Sequence, residues 1–290
     1  MIQHAILIET HANVDLLNKV IKKMYAENHY FFIHVDKKTK NYHDFLKLAS
    51  THVYFTDKRY NVRWGAVDQI YATLELINKA KSIGVNFKYY HLISGQDYPV
   101  HNNEYFDSYF SYNTNSFMEL DDISPIEPRY MYYHLNGIIN VRSYFGEKIK
   151  RYSIKLQKYL SSFHRIRKPL YLKPYKGSNW WSLHVDMIDY ILSYIKQHPK
   201  YLKRFRFTSC CDEVFFHTLA FNSTLKDTII KDDLRYYDWH RTYPMEKLPR
   251  ILTSNDYTIL KTSNAIFCRK IDYKTSYDLI KLLDSNENIN

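Results

Sequence analysis

No stretch of about twenty consecutive apolar residues occurs in this 290-residue chain, so no transmembrane helix is expected. The first residues, Met1 to Glu9, lack the basic start, long apolar centre and small-residue cleavage site of a signal peptide. Cysteine is scarce: Cys210, Cys211 and Cys268 are too few for a disulfide framework and lack metal-site spacing. A reducing, cytoplasmic setting follows as the expectation. No internal repeat, low-complexity tract or clear linker interrupts the chain, and residues 1–290 read as one domain. There is no Asp-x-Asp metal motif. Its nearest relative, Glu119-Leu120-Asp121-Asp122, can bind Mg²⁺ or Mn²⁺ in principle but reads better as a surface acidic turn. No basic recognition helix or base-stacking motif stands out, so nucleic acid is not the expected partner.

What is present is positive charge and tyrosine. The net charge is +11 and the pI about 9.2, which attracts polyanions such as anionic lipid headgroups or phosphorylated substrates. Basic residues are densest over 148–176, from Lys148 through Arg165 to Lys176, with tyrosines and leucines between them. Such a segment either settles on an anionic membrane surface or forms a solvated helix face. The 29 tyrosines offer faces that stack on sugars and bases alike, although a compositional bias would give the same count.

Periodicity predicts strands at 4–8, 30–35, 53–55 and 87–93, with amphipathic helices at 14–25 and 66–80 between them. Asn13 is the expected cap of the first helix. Strand–helix alternation of this kind indicates an α/β fold with a mostly parallel central sheet flanked by helices. The second half is less regular. Strands are expected at 116–120, 129–134 and 180–183, and helices at 144–163, 187–196, 213–221 and 273–283.

In parallel sheets ligands gather beyond the carboxyl ends of the strands. Thr10-His11, Asp36 and the turn Ser94-Gly95-Gln96-Asp97 fall there. Asp36 can accept hydrogen bonds from a base or ribose, or simply cap the next segment. Arg63-Trp64-Gly65 precedes a helix whose amino end offers unpaired amides to an anion, and Gly65 allows close backbone approach. On a strand, Trp180 and Trp181 point to opposite faces, so one can be core while the other lines a sugar site. Arg250, Arg269 and Lys270 are cations suited to gripping a diphosphate without a metal. In Cys210-Cys211-Asp212-Glu213-Val214-Phe215, two carboxylates stand just before an apolar helical run. Packing of that helix would aim them, and an aimed carboxylate can act as a general base. Acidic residues also favour helix starts for electrostatic reasons alone.

Together and in this order, 33–38, 63–65, 94–99, 177–183, 212–218, 236–239 and 267–272 resemble the core-2/I-branching β-1,6-N-acetylglucosaminyltransferases and peptide O-xylosyltransferases of glycosyltransferase family 14, in a compact bacterial-type form. The resemblance implies a GT-A-like fold, a UDP-sugar donor, inversion at the anomeric carbon and no metal or other cofactor. It implies a nucleotide-binding half at 1–115 and an acceptor and catalytic half at 116–290. Glu213 falls on the catalytic base. His11, Asp36, Arg63, Trp64, Gly65, Arg250, Arg269 and Lys270 fall on the donor side, with Lys247 the substitute for Arg250. Asp97, Trp180, Trp181, Asp212 and Trp239 fall on the acceptor side. The expected donor is UDP-N-acetylglucosamine, with UDP-xylose or another UDP-hexose next. The expected acceptor is a glycan or lipid-linked glycan of cell-surface polysaccharide synthesis, met at the inner membrane face.

Overall fold

The computed structural model describes residues 1–164, 166–241 and 243–285; Arg165 of the basic segment lies outside them. A seven-stranded sheet organises the chain. It contains β1 (Gln3–Thr10), β2 (His29–Val35), β3 (Val53–Phe55), β4 (Phe87–Ser94), β6 (Ser116–Met118), β7 (Trp181–His184) and β8 (Ile229–Ile230). The spatial order is β3-β2-β1-β4-β7-β6-β8. β1 runs parallel to β2 and β4, β3 to β2, and β8 to β6, while β7 is antiparallel to both its neighbours. The sheet is therefore mostly parallel, as the strand–helix alternation predicts.

β1 shows why. Its side chains alternate between two cores, Ala5 and Leu7 entering one and Ile6 and Ile8 the other, all fully buried. A strand covered on both faces reads as a continuous apolar run. Each such Leu or Ile contributes about 1.5–3 kcal/mol by burial. The helix Val14–Met24 buries Leu16, Leu17, Val20 and Ile21 on the second face, and Asn13 caps it by accepting from Leu16 N–H. The helix Asp68–Ser82 buries Ile70, Leu76 and Ile77 on the first.

A second, three-stranded sheet was not foreseen. It joins β5 (Asp97–Pro99), β10 (Phe267–Arg269) and β9 (Arg235–Tyr237) in the order β5-β10-β9. Each strand is only three residues long and lies in a segment that reads as a turn or a polar motif, so no apolar run marks it. The helix Asn103–Ser111 also escaped notice. It buries only Phe106 and Phe110, and is fixed by its Asn102 cap, which accepts from Tyr105 N–H. The strand expected at 129–134 is absent: Glu127–Met131 is helical. Pro128 sits in its first turn, where a missing N–H and a preset φ suit a helix start. The sheet edge beside β6 is taken by β8 instead.

The helix Tyr144–Ser161 packs the wrong way round. Gly146 is its only buried residue, and the Gln157 side chain ties it to the body through the N–H and C=O of Tyr133. Its apolar side chains Phe145, Ile149, Tyr152, Leu156 and Tyr159, with Phe163 beyond its end, are all exposed. Their spacing of three and four residues puts them on one stripe. Among the described residues no helix is long and apolar enough to cross a membrane.

Candidate active site

The two sheets enclose a cavity of about 1150 Å³. Pockets for one small ligand typically measure ~300–1,000 Å³, so this one is slightly larger than usual. Thr10, His11, Asp36 and Ser94, at the carboxyl ends of β1, β2 and β4, form one wall. Asp212 and Glu213 enter from the start of the helix Asp212–Phe221.

That helix is buried from Val214 to Phe221, so its first turn cannot drift. The turn before it is bent tightly. Cys210 holds φ at 47°, its N–H donates to Gly65 O at 2.9 Å, and Gly65 itself has φ 64°. A side chain at Gly65 would press on Asn136 and Cys210, so glycine is required there both for φ and for the close approach. Backbone held in a sparsely populated region beside a cavity is typical of functional sites. The expected role of this segment as an anion-binding helix start is modified. Arg63 donates to both Asp68 carboxylate oxygens, at 2.7 and 2.9 Å, and so fills the first turn of the helix with a fixed ion pair.

Three carboxyls meet at the cavity floor. Glu213 Oε2 accepts from Arg129 Nη1 at 2.7 Å. Asp212 has one oxygen sequestered without a partner, and burial, then the Glu213 charge, pushes its pKa up to about 7. Glu9 is buried at the end of β1, accepting from Thr73 Oγ1 at 2.6 Å and from Gln69 Nε2. Burial pushes its pKa up to about 8. The site thus combines a carboxylate facing a guanidinium with two carboxyls biased towards the protonated form. Cys210 cannot serve as a nucleophile, since burial and the neighbouring acids push its thiol up to about 12.

Cations come from the second sheet. Antiparallel pairing sets Arg269 opposite Asp97, whose Oδ1 accepts from Arg269 Nη1 at 2.9 Å; a second bond runs to Ser94 Oγ. The guanidinium lies 4.9 Å from the Trp180 ring, a cation–π geometry. Lys270, next to Arg269, is half-buried and is not among the side chains that line the cavity; its pKa is lowered by burial and then by the charges of Arg269, Lys247 and Arg142. Arg142 and Arg269 line the cavity, and Arg142 stacks 4.5 Å from Trp64. A group of like charges along one cavity wall favours an anion there.

Three expected contacts are corrected. Trp181 is fully buried on β7 and packs on Phe216, so only Trp180 of the pair reaches the cavity. Asp97 is also fully buried; it orients Arg269 and accepts from Ser94 N–H instead of meeting an acceptor. Arg250 is held by Asp238 Oδ2 at 2.5 Å and by both Asp256 oxygens, and it does not line the cavity. Two carboxylates engage it in this structure. Trp239 is exposed at the cavity rim. Asp121 pairs with Lys176, and Glu119 accepts from Ser178 N–H at 2.8 Å. Arg129, Arg142 and Glu9 were missed. Only Glu9 left a local sign, a charge at the end of an otherwise apolar strand.

The family model described as "Branch: Core-2/I-Branching enzyme" matches residues 5–261. The chain belongs to the Core-2/I-branching enzyme family. Among curated relatives, this family member is 25% identical over 249 residues to Xylosyltransferase sqv-6 of Caenorhabditis briggsae, covering 79% of this chain and 27% of that protein. It is 23% identical over 289 residues to a xylosyltransferase of Ciona intestinalis, covering 92% and 32%. This Core-2/I-branching chain therefore spans about a quarter to a third of those relatives. Among solved structures, the galactosyltransferase LgtC in complex with donor and acceptor sugar analogs superposes with a TM-score of 0.39 at 6% identity, covering 99% of this chain and 97% of that one. That score is too low to bear on function.

Proposed function

We propose that this chain is a glycosyltransferase that moves a sugar from a UDP-sugar to a hydroxyl of a glycan acceptor, with inversion and without a metal. The observation that carries this is the sharing of one cavity by Glu213 and Arg269, a base from the first turn of the helix Asp212–Phe221 and a cation from the second sheet. The acceptor hydroxyl, with a pKa far above 7, gives its proton to Glu213 as its oxygen bonds to the anomeric carbon. The bond from that carbon to the UDP oxygen breaks, and the departing diphosphate takes the negative charge. Arg269 and Arg142, which line the cavity, stabilise it in a partly desolvated cleft, with Lys270 next to Arg269 adding to the local positive charge. Base catalysis of this kind is worth ~10²–10⁴-fold. One displacement with one carboxylate inverts the centre, by analogy with inverting glycosidases. His11, Asp36 and Trp64 form the nucleoside side; Trp180, Asp212 and Trp239 face the acceptor.

UDP-N-acetylglucosamine and UDP-xylose are the two leading donors, the first by the branching family and the second by the names of the relatives. The test is UDP release across a panel of UDP-sugars, with and without Mn²⁺. Release with one sugar, equal in both conditions, is expected. Strict Mn²⁺ dependence would point to Glu119 and Asp121, and no release from any UDP-sugar would overturn the reading.

We also propose that the helix Tyr144–Ser161 rests on an anionic membrane surface. Its apolar stripe faces outward and is flanked by the exposed Lys148, Arg151, Lys155 and Lys158. The helix follows directly on Val141 and Arg142 of the cavity wall, so a lipid-linked acceptor would meet the site at the bilayer.

A further inference from the structure

The amino ends of β1 and β2 hold a buried cluster that the cavity does not use. His4 on β1, His29 on β2 and Asp107 on the helix Asn103–Ser111 each present one ligand atom, all within 4.8 Å of one another. Both histidines are fully buried and Asp107 is half-buried. The cluster lies at the opposite end of the strand from His11, roughly 23 Å away at about 3.3 Å per residue.

Hydrogen-bond accounting exposes a deficit. Met24 O can only accept, so His29 Nδ1 carries the ring proton and donates to it at 2.6 Å. In the neutral ring, Nε2 then holds a lone pair, yet it sits 2.8 Å from Asp107 Oδ1, another acceptor. His4 Nδ1 meets His91 Nε2 at 3.0 Å, while His4 Nε2 is buried without any hydrogen-bond partner, 3.4 Å from the same Asp107 oxygen. A proton added to His29 would relieve one of these contacts and leave His4 Nε2 orphaned. A cation between the three atoms satisfies all of them.

We infer that His4, His29 and Asp107 form a structural divalent-metal site, with zinc the best match. Two imidazoles and one carboxylate suit zinc and its first-row neighbours better than Mg²⁺ or Ca²⁺, which prefer all-oxygen shells. Ligand atoms at 2.0–2.1 Å from a tetrahedral ion stand roughly 3.3 Å apart, close to the His4–Asp107 separation. The His29–Asp107 contact has to open by about half an ångström to reach that spacing. The outer shell is already built. His29 Nδ1 donates to a backbone carbonyl, Asn28 Nδ2 donates to Asp107 at 3.0 Å, and His91 bonds Ser182 Oγ at 2.9 Å. Such partners orient metal-binding imidazoles and fix their tautomers. A water through the half-open Asp107 side completes four-coordination. The ion would pin β1 and β2 to the helix Asn103–Ser111, a role in stability and not in transfer.

The test is elemental analysis of the full chain purified with Zn²⁺ and dialysed against a weak chelator, together with thermal unfolding of stripped protein. About one zinc per chain is expected, with a Tm that Zn²⁺ raises and Mg²⁺ does not. Asp107→Asn, which keeps the side-chain volume, and His4→Phe, which keeps the ring packing, should both lose the zinc and the Tm response. If one variant fails to fold, the other reads the same quantity. Zinc content indistinguishable from zero in the wild type, or equal uptake in a folded variant, overturns the site and leaves a purely hydrogen-bonded cluster. Neither outcome touches the transferase reading, which UDP release measures separately.

Discussion

Arg129 Nη1 donates to Glu213 Oε2 at 2.7 Å, joining a short helix of the second half to the first turn of the Asp212–Phe221 helix. The contact fixes the direction of the Glu213 carboxylate within the cavity. It also gives the proposed base a partner that a substrate hydroxyl can share, because a carboxylate accepts several hydrogen bonds.

Glu213→Gln should keep the Arg129 contact and lose the base. Transfer is expected to fall by ~10²–10⁴-fold while UDP affinity by calorimetry stays unchanged. Wild-type turnover in this variant would remove Glu213 from the chemistry.

Arg269 and Arg250 separate a ligand-facing cation from a structural one. Arg269→Met should raise the donor KM and weaken UDP binding. Arg250→Met should leave UDP affinity alone but lower Tm, since stranding one side of a buried ion pair costs ~3–5 kcal/mol, and this half-open one less. Equal loss of UDP affinity in both variants would restore Arg250 to the diphosphate.

Glu9 makes stability fall as pH rises, and so does Asp212. The Asp212 pKa, raised to about 7 in the folded protein, means the folded state holds a proton that the unfolded state has lost above pH ~4. Its favourable contribution is thus complete below pH ~4 and is lost as pH rises through 7. Histidines with lowered pKa, such as His34 at about 4 and His217 at about 3, act in the opposite sense below pH 6.5. The clean readout is therefore a difference. Asp212→Asn should gain Tm relative to wild type between pH 5 and pH 8, and a constant difference would contradict the shift.

The outward stripe of the helix Tyr144–Ser161 predicts binding to vesicles containing phosphatidylserine or phosphatidylglycerol, weakened by salt, and little binding to neutral vesicles. Replacing Phe145, Tyr152 and Leu156 with serine should abolish sedimentation with vesicles and leave transfer to a soluble acceptor intact. Unchanged vesicle binding would assign the stripe to another partner.

The long buried strands and the helices between them were legible because a two-sided sheet demands unbroken apolar runs. Glu213 was legible as a candidate because two acids stood at the edge of an apolar helix. The pairing of Arg129 with Glu213 was not, and neither were the three-residue strands that carry Arg269. Such contacts span 84 residues in one case and 172 in the other and leave no periodic trace.

By itself, the sequence determined the α/β class through its order of apolar and polar residues, and the family resemblance through its motifs. Only the tertiary structure decided which charges reach the cavity. Arg250 and Arg269 look alike in sequence, yet one is held by two aspartates outside the cavity lining, and the other, paired with Asp97, lines the cavity. Trp180 and Trp181 are neighbours, yet one is sealed in the core and one is wet. Burial and pairing set the chemistry of a side chain, and both arise from residues distant along the chain.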